Sequence, residues 1–192
     1  MDTELRVGKA LQLLERLASE MCVGKVETEA EIGDRSVLVR FVAGSVTDSK
    51  ILAGHGGAHV KALITVAILL FRGTHLRVEI GGIECDGEVE KEFMDFAPRK
   101  DWPKAKVVEL LRDCAQACFG ACDVSERSAE GSSEKSVLSV TLERTGKSEV
   151  RFGRAMATLF RPIGCRNGRK LAVLLRSRNE KSEPPPTRGS AV

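Results

Sequence analysis

The sequence predicts an α+β protein in two related halves, each a small three-stranded sheet with helices on one face. Three observations predict it. Apolar residues recur at helical spacing in some segments and alternate in others. Glycine-centred turn signals separate those segments. The order of segments then recurs, with short matching stretches, in the second half. A chain of 192 residues suffices for one ordinary domain or two small ones.

Each element follows from its own pattern. Val7, Ala10, Leu11, Leu14 and Leu17 mark an amphipathic helix over 5–18. Residues 25–30 alternate weakly and predict a strand. Gly33-Asp34 signals a hairpin, and the β-branched run 36–42 supplies the partner strand. A short helix over 45–52 takes Ser45 or Thr47 as its N-cap. Beyond the turn Gly54-His55-Gly56-Gly57, a long apolar helix fills 58–71 and stops at Gly73. Leu76-Arg77-Val78-Glu79-Ile80 alternates as a closing strand, so the order is αββααβ. Residues 82–101 are acidic and turn-rich. They predict a linker with a short helix near 89–93, docked through Phe96 and Trp102.

The second half repeats this order. Leu13-Leu14-Glu15-Arg16-Leu17 matches Leu110-Leu111-Arg112-Asp113-Cys114, and Asp34-Arg35-Ser36-Val37-Leu38 matches Glu134-Lys135-Ser136-Val137-Leu138. Leu70-Phe71-Arg72 matches Leu159-Phe160-Arg161, and strand 76–80 matches 171–175. The strand offset is 100 and the helix offset 89, so about eleven residues are missing from the second copy. That deletion removes the short helix and the glycine turn. Residues 1–81 and 102–178 are therefore the two domains, and the proline-containing tail 179–192 is expected to be disordered.

Hydrophobic content of 42% and charged content of 30% fit a globular protein with polar segments. The apolar run 62–71 is too short to span a bilayer, and the start of the chain carries no secretory signal, so a cytoplasmic address without membrane attachment is expected. Net charge is only +3, but its distribution is uneven. Residues 1–81 are neutral, 82–101 carry −4 and 102–192 carry +7. Within 144–178, ten basic side chains, eight of them arginine, face the single acid Glu149. Such one-sided charge favours a phosphate-bearing partner.

Gly54-His55-Gly56-Gly57 gives that charge a place to act. Glycines flanking a tight turn between two helices permit a left-handed backbone and close approach of another backbone. The amides opening the following helix favour an anion. A GxxG turn of this kind holds about four nucleotides of a single strand in KH modules. The elements around it strengthen the match. Residues 1–81 resemble a type II KH domain, most of all the small stand-alone bacterial KH proteins of the KhpA type. The resemblance rests on the hairpin at Gly33, on Val46-x-Asp48-x-Lys50-Ile51, on Gly54-x-x-Gly57 and on Val60-Lys61-Ala62-Leu63 before the final strand. It implies single-stranded RNA, ribosomal or messenger, in a groove between the turn, its helices and the third strand. It also implies a homodimer or a larger KH-containing partner. The second half is then a degenerate KH-like copy without GxxG.

The turn departs from the family in its charge. His55-Gly56 stands where a basic residue is usual, and an ordinary histidine of pKa about 6.5 is mostly neutral at pH 7. Ala53 replaces a larger aliphatic residue. Lys50, His59 and Lys61 are the expected supplements around Gly54, His55, Gly56 and Gly57, with Lys147, Arg151 and Arg154 contributed by the second half. Aromatic content of 4% disfavours base-stacking platforms. The absence of histidine after His75 excludes the arginine–histidine module that follows KH domains in larger relatives.

Other chemistries are weaker. Gly146-Lys147-Ser148 lacks the upstream glycine of a P-loop. Cys114, Cys118 and Cys122, spaced by four, read as the buried stripe of one helix rather than a metal site. No catalytic pair stands out, so no enzyme activity, cofactor or metal is expected. The rival to RNA binding is a scaffold or assembly protein in which the same fold keeps a vestigial clamp.

Overall fold

The computed structural model describes residues 3–33, 36–72, 74–81, 104–128, 135–166 and 170–178. The expected linker, its short helix and docking aromatics, Gly73 and the tail all lie outside the described residues. Those described form an α+β protein with two three-stranded sheets. The first half runs α1 (Thr3–Met21), β1 (Val26–Ile32), β2 (Ser36–Ala43), α2 (Val46–Ala53), a 3-10 turn (His55–Gly57), α3 (Ala58–Leu70) and β3 (His75–Gly81). The second runs α4 (Lys104–Phe119), β4 (Cys122–Ser128), β5 (Lys135–Leu142), α5 (Lys147–Arg166) and β6 (Lys170–Ser177).

Both sheets share one topology. The middle strand pairs antiparallel with the strand before it and parallel with the strand after the long helix. The parallel pairing needs a crossover, which α3 supplies in one half and α5 in the other. Between β2 and α3 lie fourteen residues, whereas only four separate β5 from α5. The second half therefore has no counterpart of α2 or the glycine turn, as the offsets in the sequence require.

Burial fixes the register of the repeat. Leu14, Leu17, Ala18 and Met21 of α1 are buried, as are Leu111, Cys114, Ala115 and Cys118 of α4, each displaced by 97. Leu63, Val66, Ala67, Leu70 and Phe71 correspond likewise to Phe152, Ala155, Met156, Leu159 and Phe160 at the expected offset of 89. The middle strands need a correction. Val37 faces the helices, but its sequence match Val137 lies on the outer face, and the buried equivalent is Ser136. Side chains alternate with period two, so the one-residue error in the sequence alignment reverses every face. The cysteine stripe is also shorter than expected. Gly120, with φ +83°, ends α4, and Cys122 opens β4 instead of continuing the helix.

The two halves meet through their helices. α3 lies along α5, α1 touches α4 and α5, and each sheet covers the outside of this double layer. Buried residues from both halves form one continuous core containing Phe41, Phe152 and Phe160. Phe119 meets Phe152 edge-to-face with centroids 5.2 Å apart, while Arg72, just after α3, lies 5.3 Å from the Phe119 ring. Aromatic and cation–π contacts of this type add to simple area burial. Gly153 allows α5 to sit hard against β6, since a Cβ there would lie 2.6 Å from Leu175 Cδ1. The apolar stretch 46–70 is in total long enough to cross a bilayer, but the glycine turn divides it into helices of 8 and 13 residues.

Candidate nucleic-acid interface

The glycine turn is built on the C-terminal end of α2, and Asp48 anchors that helix. Ser45 is its N-cap, accepting from the Asp48 amide at 3.1 Å and donating to Asp48 Oδ2 at 2.7 Å. The buried Asp48 carboxylate also accepts from the amides of Val23 at 2.8 Å and Gly24 at 3.2 Å. One carboxylate thus ties the α1–β1 connection to the start of α2. Such bonds are needed to bury a charged side chain without a large penalty.

At the other end of α2 the chain reverses. The Gly54 amide donates to Lys50 O at 2.9 Å, and the Gly57 amide to Gly54 O at 3.0 Å. Gly54 adopts φ 68°, ψ 165°, a combination essentially reserved for glycine. Gly56 and Gly57 follow at φ 58° and 74°. His55 and Gly56 are exposed, and their amides make no backbone hydrogen bond among the described residues. Gly57 caps α3 without a side-chain cap, and the amides of Gly57 and Ala58 are taken up by Gly54 O and His55 O within the turn. The turn therefore presents unpaired donors to solvent.

His59 buttresses it from beneath. Its Nδ1 lies 2.5 Å from Ile51 O, and its ring occupies the space a Gly54 Cβ would need, 2.5 Å from Cγ. Burial, with nearby Arg161 adding to it, pushes the His59 pKa below the usual value, against the raising effect of the Ile51 hydrogen bond. At pH 7 the ring is neutral, so its role is to shape the turn rather than charge it.

Charge comes from the side. Lys61, one turn into α3, reaches back so that Nζ donates to Gly56 O at 3.3 Å. Its ammonium is thereby held beside the turn. Lys61 also lines a cleft of about 270 Å³ between α3 and α5, where it meets Arg151 and Arg154 of the second half. Lys147, Arg151 and Arg154 occupy positions i, i+4 and i+7 of α5, hence one helical face. Lys50 sits further back on α2, one turn before the glycine turn. Lys61 thus links the turn 54–57 to Arg151 and Arg154, whereas Lys147 lies one turn earlier on α5, outside the lining of the cleft. Sequence reading did not include Arg161 in the site. Its proximity to His59 depends on the α3–α5 packing, for which the sequence has no local signal.

Elsewhere the geometry is unfavourable for an anion. At the start of α5, Gly146 donates its amide to the Glu149 carboxylate at 2.9 Å, so a carboxylate already occupies the Gly-Lys-Ser terminus. The outer face of the first sheet is acidic, with Glu29, Glu31 and Glu79 gathered around Arg40. Among the described residues no three His, Cys, Asp or Glu side chains converge as a metal site. Burial pushes Cys118 up to about 12 and Cys114 higher still, leaving both as neutral core thiols. No family model and no curated protein matches the chain.

Proposed function

We propose that this protein binds single-stranded RNA, gripping the sugar–phosphate backbone at the turn 54–57 of a KH-like first half. The observation that carries the proposal is the turn itself. Three positive-φ glycines shape a turn whose His55 and Gly56 amides carry no backbone partner just before α3, with the Lys61 ammonium held beside them. Backbone donors and a lysine together suit a phosphodiester. None of these groups distinguishes one base from another, so binding is tolerant of sequence and depends on salt.

The test replaces His55 and Gly56 by aspartates. Both positions are exposed, a Cβ at Gly56 meets nothing within 4 Å, and aspartate tolerates the left-handed region better than most residues. The fold should survive while two carboxylates repel the phosphate. Binding of a labelled oligouridylate, followed by fluorescence anisotropy at 25 mM KCl, is expected to disappear. If wild-type protein binds no RNA at that salt, the chain is instead a scaffold whose clamp is vestigial.

A further inference from the structure

We infer that the cleft between α3 and α5 is a second phosphodiester subsite, so that both halves hold one RNA strand as it leaves the glycine turn. The inference rests on the RNA-binding reading and extends it to the half that lacks the turn. Its first support is composition. Lys61, Arg151 and Arg154 converge on the cleft, no acidic side chain lines it, and none of the three has an acidic partner within 4.0 Å among the described residues. Three cations at one seam repel one another, a cost an anion would relieve. The remainder of this helix seam shows the alternative. There Arg16 pairs with Asp113 and Lys106 with Glu20 across α1 and α4.

The second support is continuity. Lys61 is bound to the carbonyl of Gly56 and lines the cleft as well, so the turn and cleft share a residue. A backbone placed on the His55 and Gly56 amides therefore meets the mouth of the cleft next. The third is the chemistry of the lining. Ala58, Ala62 and Ala155 keep side-chain bulk low between the cations. Thr65 and Thr158 both turn their hydroxyls back to their own helices, donating to Lys61 O at 2.9 Å and to Arg154 O at 3.0 Å. The cleft consequently offers charge and room but no fixed donor for a base edge, which suits phosphates. Deletion of the second glycine turn and enrichment in arginine then have one explanation. The second half supplies a wall of the first half's groove, not a groove of its own.

The test compares Arg151→Gln/Arg154→Gln with His55→Asp/Gly56→Asp, using labelled oligouridylates of four and twelve nucleotides in anisotropy titrations over a range of KCl. Both arginines are exposed, and thermal melts check that the folds match. Each phosphate contact on a single strand contributes about 0.7 to the slope of log affinity against log salt. Loss of two contacts should lower the slope for the twelve-mer by about 1.4 and weaken binding roughly 25-fold at 0.1 M salt. The four-mer, about the length of strand the turn holds, should bind the arginine variant almost as well as wild type. Wild-type affinity and slope for the twelve-mer in the arginine variant would overturn the cleft while leaving the turn intact. The reverse pattern, with only the arginine variant impaired, supports the cleft and overturns the turn as the grip. No binding by the unmodified protein overturns both.

Discussion

Arg16 and Asp113 hold equivalent positions in the two halves, and their side chains pair across the helix seam at 2.7 Å from Nη1 to Oδ2. In a symmetric pairing of two identical halves, that position would set arginine against arginine. The tandem chain instead carries opposite charges at one repeated position, so complementarity is written into a single polypeptide. Reversing Asp113 to arginine recreates the symmetric clash, and Arg16→Asp creates its mirror. Each single change should lower stability by about 1 kcal/mol, since both side chains are only partly buried. The double swap should recover much of the loss. Chemical denaturation of the four proteins measures the coupling, and strict additivity would show that the pair contributes nothing across the seam.

Asp48 is the polar keystone of the first half. Asp48→Ala strands the Val23 and Gly24 amides and removes the partner of Ser45 Oγ at a site that is 2% exposed. Val23 and Gly24 are exposed and their amides can turn to water, but hydrogen bonds to a carboxylate contribute about 1.5–3 kcal/mol each and several are lost together, so a total loss of roughly 3 kcal/mol is expected. Asp48→Asn keeps an acceptor oxygen and should lose less. Urea unfolding curves of the two variants test the order, and equal losses would contradict it.

The glycines of the turn differ in what they require. Gly54→Ala places a Cβ within 2.5 Å of the His59 ring at a backbone conformation that other residues avoid. It should destabilise the protein by about 3 kcal/mol, from strain and overpacking together. Gly56→Ala has open space around it and should cost only about 1 kcal/mol, for its left-handed φ. Thermal denaturation distinguishes them, and a Gly54→Ala protein as stable as Gly56→Ala would mean that the His59 ring moves freely.

Local patterns carried most of the fold. Period and turn chemistry placed the first-half elements within a few residues, and the shortened second copy followed from unequal offsets between matching segments. The failures have a common physical origin in information that is not local. Val37 and Val137 look alike in sequence but lie on opposite faces, because sheet pairing and not residue identity sets the register. Cys122 fits a helical stripe until the left-handed Gly120 ends the helix ahead of it. The turn at 54–57 was legible from its glycines alone. The encounter of Lys61 with Arg151 and Arg154 was not, because it arises from α3 packing on α5 across about ninety residues of chain.

His59 should make the stability of this protein depend on pH. Burial, reinforced by Arg161, lowers its pKa in the folded state, whereas the unfolded chain restores an ordinary value near 6.5. Below that value the unfolded state binds the extra proton more readily, so folding stability falls with acidity. The contribution is therefore complete above about pH 6.5 and is lost as pH falls toward the lower folded pKa. His59→Asn keeps an amide donor toward Ile51 O but cannot titrate. Melting temperatures measured from pH 5 to 7.5 should rise with pH for the wild type, and this part of the slope should vanish in the variant. His55 and His75 are exposed and remain in both proteins, so they serve as the internal control. An unchanged slope in His59→Asn would remove His59 as the titrating group and weaken the view that a neutral ring supports the turn.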